Sequence, residues 1–372
     1  MNNIREQIKD KKKIVVKIGS SSLQHSETGD LDYIRLEKLV RELCDISNQG
    51  KEVVLVTSGA IAVGKKAVNL KTIEGQTQAE AMAVKQACSA IGQARLMMAY
   101  QKLFSEYNHV AAQILMTKNT IVDNLNRYNA HNTFTQLLKM GVIPIVNEND
   151  TISVTELMFT DNDELSGLIA TMMDVQALII LSNVDGIYNG KPGEPGVEVI
   201  REVDPDKDLS EYIRTEKSGF GRGGMMTKCN IARKVADEGI TVMIANGKRE
   251  HVLTDLIFQP DTLVFTRFIP RSNGVSSVKK WIAHSSGFAK GQIYLNAKAV
   301  EAVCGDRAVS LLPVGVTRVE GDFEKDDLVR IMSPEGKELG VGRTAYGSDE
   351  ARMLIGHHDC KPIVHYDYLY LE

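Results

Sequence analysis

Glu52 to Lys66 reads EVVLVTSGAIAVGKK. An apolar, β-branched run passes through Thr57, Ser58 and Gly59 straight into a helical pattern. That is a strand delivering the chain to a helix N-terminus, the unit from which parallel α/β sheets are built. Gly59, four residues, Gly64 and Lys65 also come close to spelling a phosphate-cradling loop. Such a loop needs a Ser or Thr after its lysine to hold a metal ion. Lys66 stands there instead, and a protonated amine is no metal ligand. The stretch is therefore predicted to hold an anion on backbone amides where the strand opens into the helix, with Lys65 and Lys66 as solvated charges.

The same alternation runs through the first 260 or so residues. Further apolar runs cover Lys13 to Ile18, His109 to Met116, Val142 to Asn147, Ala177 to Ser182 and Ile240 to Ala245. Between the first two strands, Ile34, Leu36, Leu39, Val40, Leu43 and Ile46 recur at helical spacing and stop near Gly50. A longer helical pattern, AEAMAVKQACSAIGQARLMMAYQKLF, carries a Met and Ala stripe that reads as core packing. Strands that are apolar throughout, alternating with helices, predict an α/β fold: a mainly parallel sheet sandwiched by helices. Ligands of such sheets collect beyond the carboxyl ends of the strands. After about Pro270 the texture changes to short β-patterned runs with turn signals such as Pro334-Glu335-Gly336, which suggests a small barrel or sandwich. The expected organisation is a first domain over residues 1–262 and a small β-rich domain over 276–372.

Composition narrows the function classes. The chain has 372 residues, 43% hydrophobic and 25% charged, with a net charge of −4. Nothing global points to nucleic acid or an anionic membrane surface. Five scattered cysteines form no C-x-x-C pair, so disulfides and a zinc site are not expected. No run approaches the ~20 apolar residues of a membrane span, and the N-terminus has no apolar stretch of signal-peptide length. A cytoplasmic protein is expected.

Small polar and acidic residues gather where the strands end. Lys17-Ile18-Gly19-Ser20-Ser21-Ser22 closes the first, Thr57-Ser58-Gly59 the second, Asn147-Glu148-Asn149-Asp150 the fourth and Ser182-Asn183 the fifth, with Asp161-Asn162-Asp163 shortly after the fourth. Lys17 is the informative residue, because an ammonium among Val15, Val16 and Ile18 must snorkel out or meet a negative partner. With glycine and three serines beside it, an anionic ligand is the economical partner. A second glycine stretch, SGFGRGGMMTK (Ser218 to Lys228), satisfies G-x-G-x-x-G but follows no strand, so the dinucleotide fingerprint fails. It feeds a helix, which makes Thr227 and Lys228 candidates for nucleotide phosphates. Two distant lysines, glycine loops and an acidic cluster suit phosphoryl transfer, which asks a protein for positioning and positive charge, usually with magnesium. Lys17 and Lys228 would neutralise the transfer region, and Asp161 or Asp163 would hold the lysines or the metal. From the residues alone a nucleotide-dependent kinase is expected, with its acceptor substrate left open.

VVKIGSSSL, VTSGAIAVG, IPIVNENDTI, DNDELSGLIA, SNVDGIY and GRGGMMTK, in this order, resemble the bacterial glutamate 5-kinase branch of the amino acid kinase family. The tail from about Ser276 is similar to the PUA domain appended to those enzymes. A single glycine in KIGSSSL and a PUA-like tail set the chain apart from acetylglutamate kinases and aspartokinases. The resemblance implies transfer of the γ-phosphoryl group of ATP, with Mg2+, to the side-chain carboxylate of L-glutamate, giving glutamyl 5-phosphate for proline synthesis. It also implies catalytic roles for Lys17, Lys228, Asp161 and Asp163, and glutamate contacts from Ser58, Asp150 and Asn162. ATP contacts are implied for Lys17, Ser182, Asn183, Arg222, Gly223, Gly224, Met225, Met226, Thr227 and Lys228. Asn183 stands where the family commonly has an acid, and Arg222 where it has a small hydroxyl residue; both bear on ATP affinity. No protein ligand set for the metal is implied beyond the ATP phosphates. Glutamyl-phosphate reductase as a partner, proline as a feedback inhibitor and a homo-oligomer are implied in the same way.

PUA domains often bind RNA. From Val275 to Glu372, however, twelve Lys and Arg face fourteen Asp and Glu, so the clustered positive charge that grips a phosphate backbone is lacking. A structural or regulatory tail is expected, and His357-His358-Asp359-Cys360 is expected to be surface rather than a metal tract.

Overall fold

The computed structural model describes residues 8–25, 27–70, 77–153, 161–207, 209, 225–271, 282, 289–305, 309–358 and 360–371. Every apolar run named above is a strand. In chain order they are β1 (Lys13–Ile18), β2 (Glu52–Val56), β3 (Ala111–Met116), β4 (Ile143–Glu148) and β5 (Ala177–Ser182), followed by β6 (Glu202–Val203), β7 (Thr241–Asn246) and β8 (Thr266–Phe268). They form one sheet in the order β3-β4-β2-β1-β5-β7-β8-β6. The first six are mutually parallel; β8 runs antiparallel to β7 and parallel to β6. β1 lies between β2 and β5, with Lys17 in register with Val56 on one side and Ile180 on the other. Strand order reverses there, and the crevice beyond such a reversal is where open α/β sheets bind ligands.

The helices are α1 (Ser20–Leu23), α2 (Tyr33–Asn48), α3 (Ala60–Ala67), α4 (Gln78–Glu106), α5 (Lys118–Val122), α6 (Asn124–Lys139), α7 (Asn162–Met172), α8 (Met225–Asp237) and α9 (Val252–Phe258). α2 starts on an Asp32 cap whose carboxylate accepts from the Arg35 amide, and it buries Leu36, Leu39, Val40, Leu43 and Ile46. Ile34, in the same apolar pattern, lies outside the buried stripe and is 67% exposed. α4 starts on a complete capping box between Thr77 and Glu80. Along β1 the side chains alternate. Ile14, Val16 and Ile18 join a core with residues of α2, α4 and α9, while Lys17 faces the opposite layer, where α7 lies.

Strand ends shift by a residue or two from their apolar runs. β3 begins at Ala111 rather than His109, because Asn108 takes a left-handed φ of +58° and the His109 amide folds back onto the Phe104 carbonyl at 2.9 Å. Those contacts close α4 and leave no extended backbone for His109. The sheet also runs past residue 262, to β8, a strand of three residues between β7 and β6 and too short for a periodic signal.

The chain divides into compact units Met1–Ser272 and Asn273–Glu372. In the second, β9 (Gly291–Leu295), β10 (Val316–Gly321), β11 (Leu328–Met332), β12 (Glu338–Thr344) and β13 (Val364–Leu371) make one five-stranded sheet in the order β10-β9-β11-β12-β13. Its core includes Ile293, Leu295, Val316, Val329, Ile331, Val364 and Leu369. The runs expected to form a barrel or sandwich thus form a single mixed sheet with a parallel β9–β11 pair, accompanied by helices α10 (Ala297–Val303) and α11 (Ser348–Met353).

Candidate active site

At the end of β1, Lys17 is 5% exposed, and its ammonium lies 2.6 Å from Oδ1 of Asp163. Asp163 is fully buried, and its other oxygen, Oδ2, lies 2.9 Å from the ammonium of Lys228 on the first turn of α8. One carboxylate therefore bridges two ammonium groups that are 211 residues apart in the chain. Burial alone would push the Asp163 carboxyl up; Lys17 and Lys228 outweigh it and hold the group below its ordinary value. With both oxygens committed to cations, Asp163 is a brace for the lysines and not a base.

Asp161 explains why Asp163 sits there. It is the N-cap of α7, and its Oδ1 accepts from the amides of Asp163 (2.9 Å) and Glu164 (3.1 Å). Its Oδ2 is buried and has no hydrogen-bond partner among the described residues. Burial and the neighbouring Asp163 charge raise its pKa, against the pull of the Glu164 amide and the two lysines. A hard divalent cation bound mainly by phosphates takes one or two carboxylates from its protein, and the uncommitted Oδ2 fits that demand. Among the described residues no group of three or more His, Cys, Asp and Glu could hold a metal by itself.

Gly19, just past β1, carries no side chain over the Lys17 ammonium; a Cβ there would lie 3.6 Å from Nζ. Gly59, at the start of α3, has φ +105° and provides no side-chain cap, so the first-turn amides of α3 stay available to an anion. Gly64 has a different job. A Cβ on it would collide with the Cys88 carbonyl, and one on Gly92 with the Ala60 carbonyl. The glycine that imitates a phosphate loop is a contact that lets α3 and α4 touch backbone to backbone. Lys66 reaches the Thr28 carbonyl (3.0 Å) and stands 3.7 Å from Asp30 on the exposed side.

Asn162, between the two aspartates, turns toward β2 and β4. Its Nδ2, with two hydrogens to donate, lies within hydrogen-bond reach of three acceptors, the Thr57 carbonyl, Ser58 Oγ (2.9 Å) and Asn147 Oδ1 (2.8 Å). Asp150, beyond β4, accepts from Ser89 Oγ at 2.7 Å. Ser182 and Asn183 sit at the end of β5, their side chains 3.4 Å apart. Lys17, Lys228, Asp161 and Asp163 thus form one cluster, and Ser58 and Asn162 a second one joined to it through α7. Met225, Met226 and Thr227 share the first turn of α8 with Lys228, Met226 being 42% exposed. Arg222, Gly223 and Gly224 lie outside the described residues, as does most of the glycine stretch that contains them.

The sequence reading placed Asn147 at the rim but gave it no role as the hub between Asn162 and Gln93, and it missed Lys118, which is 9% exposed and pairs with Glu164 at 3.3 Å. Asn147 had a signal, a carboxamide inside an apolar strand. Lys118 had none, since it opens a short polar helix. All five cysteines are free.

Residues 12–246 match the model of the amino acid kinase family, and 291–366 match that of the PUA domain. A glutamate 5-kinase of Bacteroides thetaiotaomicron is 54% identical over 97% of this chain and 98% of its own length. One from Chlorobaculum tepidum is 44% identical over 97% of both chains. A third, from a Synechococcus strain, is 42% identical over 92% of this chain and 91% of its own. A cluster of two lysines braced by one aspartate at the reversal of a parallel sheet, in a chain matched over nearly its whole length, puts this protein in the amino acid kinase family, among the glutamate 5-kinases.

Proposed function

We propose that the rim formed by the ends of β1, β2, β4 and β5 transfers the γ-phosphoryl group of ATP to the side-chain carboxylate of L-glutamate. This is the reaction that the names of the relatives describe, and it opens proline synthesis. The observation that carries the site assignment is Asp163 held between Lys17 at 2.6 Å and Lys228 at 2.9 Å. A carboxylate is ionised at neutral pH, so the acceptor needs no general base. What opposes reaction is repulsion between two anions, and charge compensation is what the site supplies. An O–P bond forms at the glutamate carboxylate while the bond from the γ-phosphorus to the ADP oxygen breaks. Lys17 and Lys228 neutralise the oxygens around that phosphorus, and Asp163 keeps the two ammonium groups from parting. Asp161 fixes the first turn of α7 and so the directions of both Asn162 and Asp163.

An ATP-using kinase requires a divalent metal, which lowers the charge of the phosphates when bound; Mg2+ with Asp161 Oδ2 as its protein contact is our assignment. Ser58, Asp150 and Asn162 bind glutamate, with Asp150 suited to the α-ammonium. Ser182, Asn183 and the run Arg222 to Lys228 bind ATP. The domain division proposed is an N-terminal kinase domain, 1–262 as read from the sequence and carried to Phe268 by β8, and a PUA-like domain over 276–372. No described helix is long and apolar enough to cross a membrane, and cytoplasmic location is part of the proposal. Handover of the water-labile acyl phosphate to glutamyl-phosphate reductase, inhibition by proline and homo-oligomerisation are proposed from the family likeness.

The test is hydroxylamine trapping of the acyl phosphate with glutamate, aspartate and N-acetylglutamate as acceptors. Glutamate- and metal-dependent hydroxamate is expected, and Lys228→Ala is expected to lower kcat by roughly 10²- to 10³-fold, as for loss of one preorganised donor to a developing anion. Unchanged turnover in that variant would remove Lys228 from the mechanism, and preference for another acceptor would correct the substrate.

A further inference from the structure

The long helix α4 carries three polar side chains among apolar ones on its buried face. Ser89, Gln93 and Tyr100 are 2%, 7% and 0% exposed. Spacings of four and seven place them in one line along the helix. Each meets a different part of the acceptor rim. Ser89 Oγ donates to Asp150 Oδ2 at 2.7 Å. Gln93 Oε1 accepts from Asn147 Nδ2 at 2.8 Å. The Tyr100 hydroxyl lies 2.8 Å from Thr57 Oγ1.

The amide directions in this network follow from one backbone group. The Glu148 N–H can only donate, and it meets Asn147 Oδ1 at 2.9 Å. Asn147 must therefore offer Nδ2 to Gln93, which fixes Gln93 with Oε1 toward it. The same Asn147 Oδ1 accepts from Asn162 Nδ2 at 2.8 Å. The carboxamide of Asn162 thus has its nitrogen turned into the protein, and its oxygen is the atom left for other partners. The order Glu148 amide, Asn147, then Gln93 and Asn162 is a chain of orientations that ends on a proposed glutamate contact. Burying polar groups on a helix otherwise packed as core is costly unless they are hydrogen-bonded, and each of the three spends its bond on a residue of the rim.

We infer that α4 is the positioning element of the acceptor site: Ser89 and Gln93, with Tyr100 behind them, aim Asp150 and Asn162 and thereby set affinity for the amino acid while leaving phosphoryl transfer alone. This rests on the acceptor roles of Asp150 and Asn162 proposed above. None of the three touches the lysine pair, and so the effect belongs to KM for the acceptor and not to kcat or to ATP.

The experiment is steady-state kinetics of the full chain by hydroxamate trapping, varying acceptor and ATP separately, for wild type, Ser89→Ala, Ser89→Thr and Gln93→Met. Loss of a hydrogen bond to a charged group predicts a rise of about tenfold or more in KM for glutamate in Ser89→Ala. The KM for ATP and kcat should stay within about twofold, and Ser89→Thr, which keeps the hydroxyl, should recover most of the loss. Gln93→Met, similar in size but without the acceptor, should show the same split. Ser89→Ala leaving the acceptor KM within twofold of wild type overturns the inference, and so does a parallel rise in the KM for ATP. If Gln93→Met fails to fold, Ser89→Ala and Ser89→Thr decide alone. A wild type that prefers another acceptor corrects the assigned substrate, and the KM split is then read on that acceptor.

Discussion

At the scale of single residues, the site is an exercise in pairing buried charge. Asp163 has no solvent exposure and two cationic neighbours. Removing one partner from a buried ion cluster leaves the others uncompensated, at a cost of about 3 to 5 kcal/mol. Asp163→Asn is therefore expected to lose that much stability in urea at neutral pH, and to lose activity because the two ammonium groups repel. The pH dependence carries a definite sign. The folded pKa of Asp163 is lowered, so its stabilisation is complete above the ordinary aspartate value and disappears as pH falls through the lowered one. The stability gap between wild type and variant should stay constant at neutral pH and close only in acid below the ordinary aspartate range. A gap that closes near pH 6 would show that Asp163 is not the group responsible. Asp161 has the opposite shift, in keeping with one carboxylate per site that ionises easily and a neighbour that resists.

At the scale of elements, two long-range contacts decide where the helices lie. α3 and α4 meet through Gly64 and Gly92, where any Cβ would strike a carbonyl oxygen. Gly64→Ala raises helix propensity but forces the pair apart, and overpacking at such a contact costs ~3 kcal/mol. Because α3 begins at the Ser58–Gly59 corner, the variant should also raise KM for glutamate; a thermal melt with acceptor kinetics checks both. Glu42, on α2, serves as the missing cap of α9. His251 stands at the cap position with a φ of +57° and makes no side-chain cap bond, and Glu42 Oε2 accepts from the amides of Leu253 (2.7 Å) and Thr254 (3.1 Å). Burial pushes the Glu42 carboxyl up even though those amides pull it down. A raised carboxyl contributes stability below its unfolded value that is lost as pH rises through the folded one. Glu42→Gln keeps an acceptor and removes that decline, so its stability relative to wild type should improve as pH rises past the ordinary glutamate range. Glu42→Ala removes the cap altogether and should cost about 1 to 2 kcal/mol, measured by denaturant titration.

At the scale of the whole molecule, each of the two compact units has a core of its own among the described residues. One lies under the eight-stranded sheet and the other, with Ile293, Val329 and Ile331 fully buried, under the five-stranded sheet. Cores that share no residues should respond separately. Ile331→Ala is expected to destabilise the second unit by roughly 2 to 5 kcal/mol and to leave hydroxamate formation at 25 °C unchanged. Calorimetry alongside the assay tests this, and a matching loss of turnover would show that the kinase reaction depends on the integrity of the tail. The tail's small excess of acidic residues argues against a phosphate-backbone surface. Absence of RNA retention at low salt is the expected outcome.

Much of this was legible in one dimension. Period and composition alone establish the strand–helix alternation, the change of texture after Pro270, and the oddity of Lys17 inside β1, because burial on both faces of a parallel sheet forces apolar runs and makes an ammonium among them conspicuous. The failure of Lys66 as a metal ligand also follows from residue chemistry without coordinates. Only the tertiary structure could bring Lys228 to Asp163, give Gly64 to helix packing instead of a phosphate, and line Ser89 and Gln93 up behind Asp150 and Asn147. Those outcomes depend on which strands become neighbours and which helix faces meet. Such contacts join residues far apart in the chain, and no local period records them.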